Sequence, residues 1–258
     1  MAGMSGGSAL LSLRNVSRSF DGVVAVAGLD FEVAPGEICG LIGPNGAGKS
    51  TTFNLIAGEL TPSDGRLSFA GRDITGAPSY KVARLGIARM FQAVQLFESM
   101  SVGGNVLVGA DRHHRLALCA GLFHLGGYRR TERAAHERAR KAMALLGLED
   151  IADEPAASLP FGRQRLVAVA RALAAEPRML LLDEPAAGLS AAEIEALAAA
   201  MRRARAGGVT VLLVEHNVEF VMGLCEHVVA MHGGRKIADG SPRAVRESPA
   251  VQEAYLGR

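Results

Sequence analysis

The sequence of 258 residues contains no tryptophan and only three cysteines. Cys39, Cys119 and Cys225 are an odd number, lie far apart and form no Cys-x-x-Cys pair, and no histidine stands near them at the spacing of a metal site. The sequence therefore predicts neither a disulfide framework nor a cysteine metal centre. We expect three unpaired thiols in a reducing compartment.

Two further absences restrict the cellular location and the binding partners that we expect for the protein. No stretch approaches the roughly 20 consecutive apolar residues that span a bilayer, and the N-terminus lacks a basic segment followed by a long apolar run. The charges nearly balance, with 28 Lys and Arg against 26 Asp and Glu, which argues against a dedicated nucleic-acid binder. We expect a protein that stays in the cytoplasm, binds no nucleic acid and takes any membrane role through partners.

Short apolar runs alternate with helical patterns along the chain, which is typical of an α/β fold with a mainly parallel sheet flanked by helices. Strands that are buried on both faces are almost continuously apolar. Four runs fit that description, and they are 38–42, 179–182, 209–214 and 228–232.

The N-terminal part has runs separated by turn signals such as Asp21-Gly22, which predict an antiparallel sheet beside the parallel core. These runs are 10–16, 29–33 and 66–69. Between about residues 101 and 160, helical patterns replace the strand signals and predict a helical insertion. One helix there has its apolar face formed by Ala135, Ala139, Ala142 and Leu146. The stretch 112–130 has no clear period.

The strongest motif is GPNGAGKST, which follows the run 38–42 and fits the phosphate-binding pattern G-x-x-x-x-G-K-[ST]. Its glycines let backbone N–H groups point at phosphate oxygens, and the following helix offers its positive N-terminal end. Lys49 is predicted to lie between the β- and γ-phosphates of ATP, and the Ser50 hydroxyl to bind Mg²⁺. The candidate nucleotide-binding residues of this phosphate loop are Gly43, Pro44, Asn45, Gly46, Ala47, Gly48, Lys49, Ser50 and Thr51.

Two carboxylates, Asp183 and Glu184, follow the apolar run 179–182 in a chain that already has a phosphate loop. We predict that Asp183 holds Mg²⁺ and that Glu184 is the general base that deprotonates the water attacking the γ-phosphate. A solvated acidic pair at a strand end is the alternative for such a dipeptide taken alone.

With these motifs, the segments MFQAVQLFESMSV, PAAGLS and LLVEHN occur in an order that resembles the nucleotide-binding subunits of ABC transporters, over almost the whole chain. The resemblance implies an ATPase. It implies that Gln92 is the Q-loop glutamine, which contacts Mg²⁺ and the attacking water beside the surface that docks membrane subunits. It also implies that PAAGLS is the D-loop and that His216 is the switch histidine that contacts the γ-phosphate. Phe20 resembles the aromatic residue that stacks on adenine.

The family's LSGGQ signature, which closes over ATP bound to the opposite subunit, is altered in this chain. Pro160 replaces the serine, which removes a hydroxyl and a backbone N–H, and Arg163 replaces the glutamine. A lost hydrogen bond to a charged group costs about 1.5–3 kcal/mol, so we expect that ATP site to be weakened. Arg163 is either a compensating cation or a solvated helix-start residue. The other predicted nucleotide contacts in this segment are Leu159, Phe161 and Gly162.

Within that family, stretches such as LLVEHNVEFVMGLCEHVVAMHGGRKIADGSP and the ending PAVQEAYLGR are similar to the ATPases of branched-chain amino acid importers, and the chain resembles the larger of their two ATPase subunits. The resemblance implies a second ATPase subunit, either a related heterodimer partner or a second copy. It also implies two membrane permease subunits, a periplasmic solute-binding protein and a place at the cytoplasmic face of the inner membrane. Importers of urea, amides or other amino acids, a soluble ABC-type ATPase and a P-loop kinase are the alternatives.

We therefore predict a single ABC ATPase domain over residues 1–258. Its RecA-like core with the antiparallel β subdomain takes up about 10–100 and 161–240. A helical subdomain takes up about 101–160, and a helical tail takes up 241–258.

Overall fold

The computed structural model describes residues 9–91, 94–110 and 126–256. The strands in this part of the chain are β1 (Leu11–Phe20), β2 (Val23–Val33), β3 (Ile38–Ile42), β4 (Asp64–Phe69), β5 (Arg72–Asp73), β6 (Ile87–Met90), β7 (Met179–Asp183), β8 (Thr210–Val214), β9 (His227–His232) and β10 (Arg235–Gly240). The helices are α1 (Lys49–Ile56), α2 (Ser79–Leu85), α3 (Val102–Ala110), α4 (Gly126–Leu146), α5 (Phe161–Ala174), α6 (Ala191–Ala206), α7 (Val218–Leu224), α8 (Pro242–Arg246) and α9 (Pro249–Leu256).

The larger sheet has six strands in the order β10-β9-β3-β8-β7-β6. Its five strands from β9 to β6 run parallel, and β10 pairs antiparallel with β9 at the edge. Strands β3, β7 and β8 are buried along their whole length, because helices or the second sheet cover both of their faces. The predicted mainly parallel sheet is confirmed, and the predicted run 38–42 coincides with β3.

The smaller sheet is antiparallel, with the order β2-β1-β4-β5, as predicted for the N-terminal part. Strands β1 and β2 are longer than their apolar runs, because they extend as a hairpin to the turn at Asp21-Gly22. Both turn residues have positive φ, 45° and 86°, as the tight turns that match strand twist require.

Two apolar cores lie on opposite faces of the larger sheet. One core packs the smaller sheet and α1 against it, around Phe53, Phe69 and Leu41. The other core packs helices α3 to α9 against it, and there α3, α4 and α5 also contact one another. The predicted apolar face of α4, from Ala135 to Leu146, is buried in this second core, and Gly147 follows the helix with φ 64°.

Sequence patterns missed two strands of the larger sheet. β6 is only four residues long, and β10 is an edge strand with mostly exposed or half-buried side chains, so neither has an apolar run. The division of the chain into core, helical subdomain and tail stays a prediction. None of the helices in the described ranges is long and apolar enough to cross a membrane.

Candidate functional site

Three parallel strands end at the same edge of the larger sheet. The pairing sets Leu41 of β3 and Asp183 of β7 on either side of Val214 at the end of β8. The segments that follow these strands therefore start side by side: the phosphate loop after β3, the Asp183-Glu184 pair at the end of β7, and Glu215-His216 after β8. Sequence motifs that are far apart in the chain are brought together by this register.

The phosphate loop is held between β2 and β9 by close backbone contacts. A Cβ atom on Gly43, where φ is 156°, would lie 2.3 Å from the carbonyl oxygen of Met231. A Cβ atom on Gly48, where φ is 98°, would lie 2.4 Å from the carbonyl oxygen of Ala25. The glycines are therefore required by space as well as by backbone conformation, and the loop has little freedom to move.

Lys49 is buried at the start of α1, and its ammonium donates to the carbonyl oxygens of Gly43 at 2.7 Å and Pro44 at 3.0 Å. Burial lowers the pKa of Lys49, and the carboxylates of Glu184 and Asp183 oppose that shift. Next to it, Ser50 is exposed in the first turn, and the helix has no side-chain N-cap. The loop therefore offers a cation and open N–H groups at one point, which suits an anion. The remaining loop residues predicted to contact nucleotide are Asn45, Gly46, Ala47 and Thr51.

Asp183 is buried beside Arg89, which the sequence motifs did not single out. The Arg89 guanidinium donates to Oδ2 of Asp183 at 3.2 Å, to the Glu59 carboxylate at 2.9 Å and to the Asn54 side chain at 2.7 Å. Burial raises the pKa of Asp183, and the charge and hydrogen bond of Arg89 act in the opposite direction. Arg89 therefore helps to keep this carboxylate ionised, and nothing in its local sequence indicates that role.

Glu184 and His216 lie in contact at the same edge. The distance from Nε2 of His216 to Oε1 of Glu184 is 2.9 Å. Glu184 has a positive φ of 48°, and its N–H donates to the carbonyl of Val214 at 2.9 Å, which fixes the residue at the strand end. Such strain in a non-glycine residue is concentrated at functional sites.

Glu215 is a buried carboxylate that the motif analysis missed. It accepts hydrogen bonds from the N–H groups of Ala186 at 2.7 Å and His216 at 3.1 Å. Burial raises its pKa, and the backbone donors oppose that shift. Glu215 therefore ties the D-loop to the segment that carries His216. In the sequence, the only indication of a role for Glu215 is its position between the apolar run of β8 and the predicted site residue His216.

The signature segment begins α5, with Pro160 at the N-cap. A further departure from LSGGQ is Phe161, an exposed aromatic residue where the family has its first glycine. Its ring faces Gly188 of the D-loop and lies 5.2 Å from the Arg165 guanidinium carbon. Arg165 also donates to the carbonyl of Glu184. The start of α5 is therefore joined to the sheet edge of its own chain that carries Glu184.

The remaining predicted site residues differ in their burial and contacts. Arg163 is exposed, Leu159 and Gly162 are buried, and the Glu193 carboxylate lies close against Gly162. Phe20 is exposed at the end of β1, with the Arg18 guanidinium carbon 4.6 Å from its ring centroid. Gln92 lies outside the described residues.

The family model described as ABC transporter matches residues 26–187, which include the phosphate loop, the signature segment and the Asp183-Glu184 pair. The chain belongs to the ABC transporter family. A second model, described as branched-chain amino acid ATP-binding cassette transporter, matches residues 235–258.

Known proteins resemble this ABC transporter chain over nearly its whole length. The high-affinity branched-chain amino acid transport ATP-binding protein BraF of Pseudomonas aeruginosa is 40% identical over 96% of this chain and 98% of its own. The lipopolysaccharide export system ATP-binding protein LptB of Acidithiobacillus ferridurans is 36% identical over 97% and 98%. A solved ABC transporter cassette in its ADP conformation is 32% identical, with a TM-score of 0.84, and covers 97% of this chain and 100% of its own. The predicted family, fold class and ATPase activity are confirmed.

Proposed function

We propose that this chain is the ATPase subunit of a branched-chain amino acid importer at the cytoplasmic face of the inner membrane. It would work there with a second ATPase subunit, two permease subunits and a periplasmic solute-binding protein. The contact of Glu184 with His216, at the edge that also holds Lys49, is the observation that carries the catalytic part. Two findings support the choice of solute: the similarity to BraF over nearly the full length of both proteins, and the match of residues 235–258 to the branched-chain amino acid transporter model.

ATP would be bound by the phosphate loop and Lys49. The ammonium lies among the carbonyls of Gly43 and Pro44 at the helix start, where a phosphate bound by the loop would also lie. Loop N–H groups would donate to the phosphate oxygens, as they do in other phosphate loops. Phe20, at the tip of the β1–β2 hairpin, is the proposed adenine contact.

The oxygen donors at this edge fit Mg²⁺, which prefers carboxylate and hydroxyl ligands together with phosphate oxygens. The exposed Ser50 hydroxyl and the Asp183 carboxylate would hold the ion, with Gln92 as a further proposed ligand. Held there by these residues, Mg²⁺ would neutralise charge on the β- and γ-phosphates.

Hydrolysis would depend on the Glu184 carboxylate as general base. It would orient a water molecule toward the γ-phosphate and accept its proton. His216 would hold Glu184 through their contact and approach the γ-phosphate with its exposed edge. The hydrogen bonds of Glu215 to Ala186 and His216 would keep both segments in place.

The start of α5 would close over ATP held by the partner subunit. Pro160 provides no side-chain cap, so the first N–H groups of this helix are open to an anion. Phe161 and Arg163 are exposed beside them. A γ-phosphate held by one chain's Lys49 and the other chain's α5 would join two subunits only while ATP is intact, which couples hydrolysis to opening.

Pro160→Ser is expected to raise the ATPase rate of the assembled complex by about tenfold or more. Serine restores a hydroxyl at the N-cap, where it can cap the helix or donate to the phosphate, and a charged hydrogen bond is worth roughly 1.5–3 kcal/mol. Steady-state phosphate release by the assembled complex measures the effect. Pro160→Ala is the matched control, because it removes the ring without adding the hydroxyl. An unchanged or lower rate for Pro160→Ser would count against this account of the signature.

A groove of about 560 Å³ lies where α2, β6, α3 and α5 meet. Four of its lining residues are exposed apolar or aromatic side chains, Tyr80, Phe91, Phe97 and Val108. Gln92 directly follows Phe91 in the chain, so the groove adjoins the proposed Q-loop. We assign this groove to an amphipathic cytoplasmic helix of a permease subunit, which would bury these side chains.

Replacing both Tyr80 and Phe97 by serine is expected to weaken permease binding at least tenfold while the ATPase rate of the free subunit stays near the parent's. Aromatic anchors in such grooves contribute roughly 2 kcal/mol or more each. Co-purification with detergent-solubilised permease subunits measures binding. Val23→Ser, at an exposed apolar residue of β2 outside the groove, is the control. Equal binding by the double variant and the control would exclude the groove as the docking site.

The solute is tested by reconstitution, because an ATPase subunit does not contact the cargo. Proteoliposomes that contain the permease subunits, this chain and the second ATPase subunit should hydrolyse ATP faster when the binding protein is loaded with leucine, isoleucine or valine. The similarity to LptB makes lipopolysaccharide transport the second candidate. Stimulation by lipopolysaccharide, or by urea or amides, in place of these amino acids would overturn the proposed solute and leave the ATPase assignment intact.

A further inference from the structure

Four side chains of different chemistry meet where β3, β9 and β10 run side by side. Glu37 directly precedes β3, and Cys39 of β3 is paired in register with His227 of β9. Asp239 lies on β10, which pairs with β9. This cluster lies at the start of β3, whereas the phosphate loop follows its end, so the nucleotide site does not use it.

The ligand atoms of the cluster are close together. A carboxylate oxygen of Glu37, the Sγ atom of Cys39 and a ring nitrogen of His227 all lie within 4.8 Å of one another. Nδ1 of His227 is 3.3 Å from Oε1 of Glu37, and Nε2 is 2.6 Å from Oδ1 of Asp239. The other oxygen of Asp239 accepts a hydrogen bond from Lys236 at 2.7 Å.

We propose that Glu37, Cys39 and His227 form a binding site for a borderline divalent cation, with Zn²⁺ as the best fit. Thiolate, imidazole and carboxylate are the ligands that Zn²⁺ takes in proteins, and three protein ligands leave a fourth position for water. Asp239 contacts the second ring nitrogen, which is where a carboxylate fixes the orientation of a metal-binding histidine.

The position of the cluster gives it a rigid backbone and leaves it accessible to an ion from solvent. The three ligands lie on or next to two paired strands, so their backbone is fixed before any ion arrives. Cys39 is fully buried, whereas the side chains of Glu37 and His227 are about one-fifth exposed. An ion could therefore enter from the side of the carboxylate and imidazole and meet the thiol at the back.

The competing state is a protonated His227 held by two carboxylates. Hydrogen bonds with Asp239, Cys39 and Glu37 raise its pKa to about 12. Zn²⁺ binding would release one proton from Nδ1 of that imidazolium and one from the Cys39 thiol. A thiol is only a weak hydrogen-bond partner for the imidazolium, whereas a thiolate is a strong Zn²⁺ ligand, and Cys39 is therefore the residue that separates the two states.

The test is a titration of the untagged, metal-free full-length chain with Co²⁺ and then Zn²⁺. Co²⁺ bound in a tetrahedral site with a thiolate shows visible bands and a sulfur-to-metal charge-transfer band. We expect about one such Co²⁺ per chain, displaced by Zn²⁺. A Co²⁺ complex without the charge-transfer band, or no binding, would overturn the proposal.

Variants of the cluster assign the ligands. Cys39→Ser and His227→Arg should each weaken Co²⁺ binding at least tenfold, and Asp239→Asn by about 10- to 100-fold. His227→Arg retains a cation between Glu37 and Asp239, so it keeps the charge balance and removes only the ligand. Cys225→Ser, at a buried thiol outside the cluster, is the control and should bind like the parent. Equal binding by His227→Arg and the parent would refute the site even if Cys39→Ser failed to fold.

Discussion

A Glu184→Gln variant is expected to hydrolyse ATP about 100- to 10 000-fold more slowly than the parent, because an amide cannot accept the proton of the attacking water. Glutamine has nearly the same shape and retains an oxygen that can contact His216. ATP binding should therefore persist, and the variant should stay associated with its partner subunit in the presence of Mg-ATP. Phosphate release measures turnover, and size-exclusion chromatography with and without ATP measures association.

The control for that variant is Glu195→Gln, on the exposed side of α6, where 76% of the glutamate side chain is accessible. It removes the same charge from the same chain and should hydrolyse ATP like the parent. If Glu184→Gln also turned over near the parental rate, the general base would have to be another group. If it lost ATP-dependent association as well as turnover, Glu184 would be needed for binding instead.

Gly48→Ala is expected to abolish ATP binding and to destabilise the fold by about 3 kcal/mol, which lowers Tm by roughly 6–12 °C for a chain of this size. The left-handed backbone costs an alanine roughly 1–2 kcal/mol. The larger cost comes from the Cβ atom, which would lie 2.4 Å from the carbonyl oxygen of Ala25 in β2. The Cβ atom is bonded directly to the main chain and the carbonyl oxygen belongs to it. No flexible side chain can therefore move aside to relieve this contact. Thermal unfolding and nucleotide-binding titrations measure the two effects.

Gly147→Ala is the matched control for the steric part of that cost. Gly147 also has a positive φ, 64°, but no atom lies within 4 Å of a Cβ placed there. Its substitution should cost only the backbone penalty and leave ATP binding unchanged. An equal loss of stability in the two variants would mean that the contact with Ala25 is relieved by a small shift of β2.

The part of the site that sequence predicted is the part that local motifs specify. Lys49 and the Asp183-Glu184 pair each follow an apolar strand in a short pattern, and strand register then brings them to one edge. Their catalytic and binding roles stay predictions until variants are measured. The fold class was predictable for the same reason, because fully buried strands such as β3 leave a continuous apolar run.

The residues that sequence missed act through partners far away in the chain. Arg89 contacts Asp183, and Arg165 contacts Glu184, across separations that no local pattern records. The cluster of Cys39 with His227 was missed for the same reason. The sequence predicted no metal site because Cys39 and His227 lie far apart along the chain and form no local ligand motif, whereas parallel pairing of β3 with β9 sets the two residues side by side.

The hydrogen bond from Arg165 to the carbonyl of Glu184 connects the signature helix directly to the residue that we propose as the general base. In the proposed dimer the signature helix and this residue would serve different nucleotides, one across the interface and one in the same chain. A tilt of α5 that follows the loss of a phosphate in one pocket would shift the main chain that aims Glu184 in the other. The two ATP sites would then hydrolyse ATP alternately, because the state of each site would affect the general base of the other.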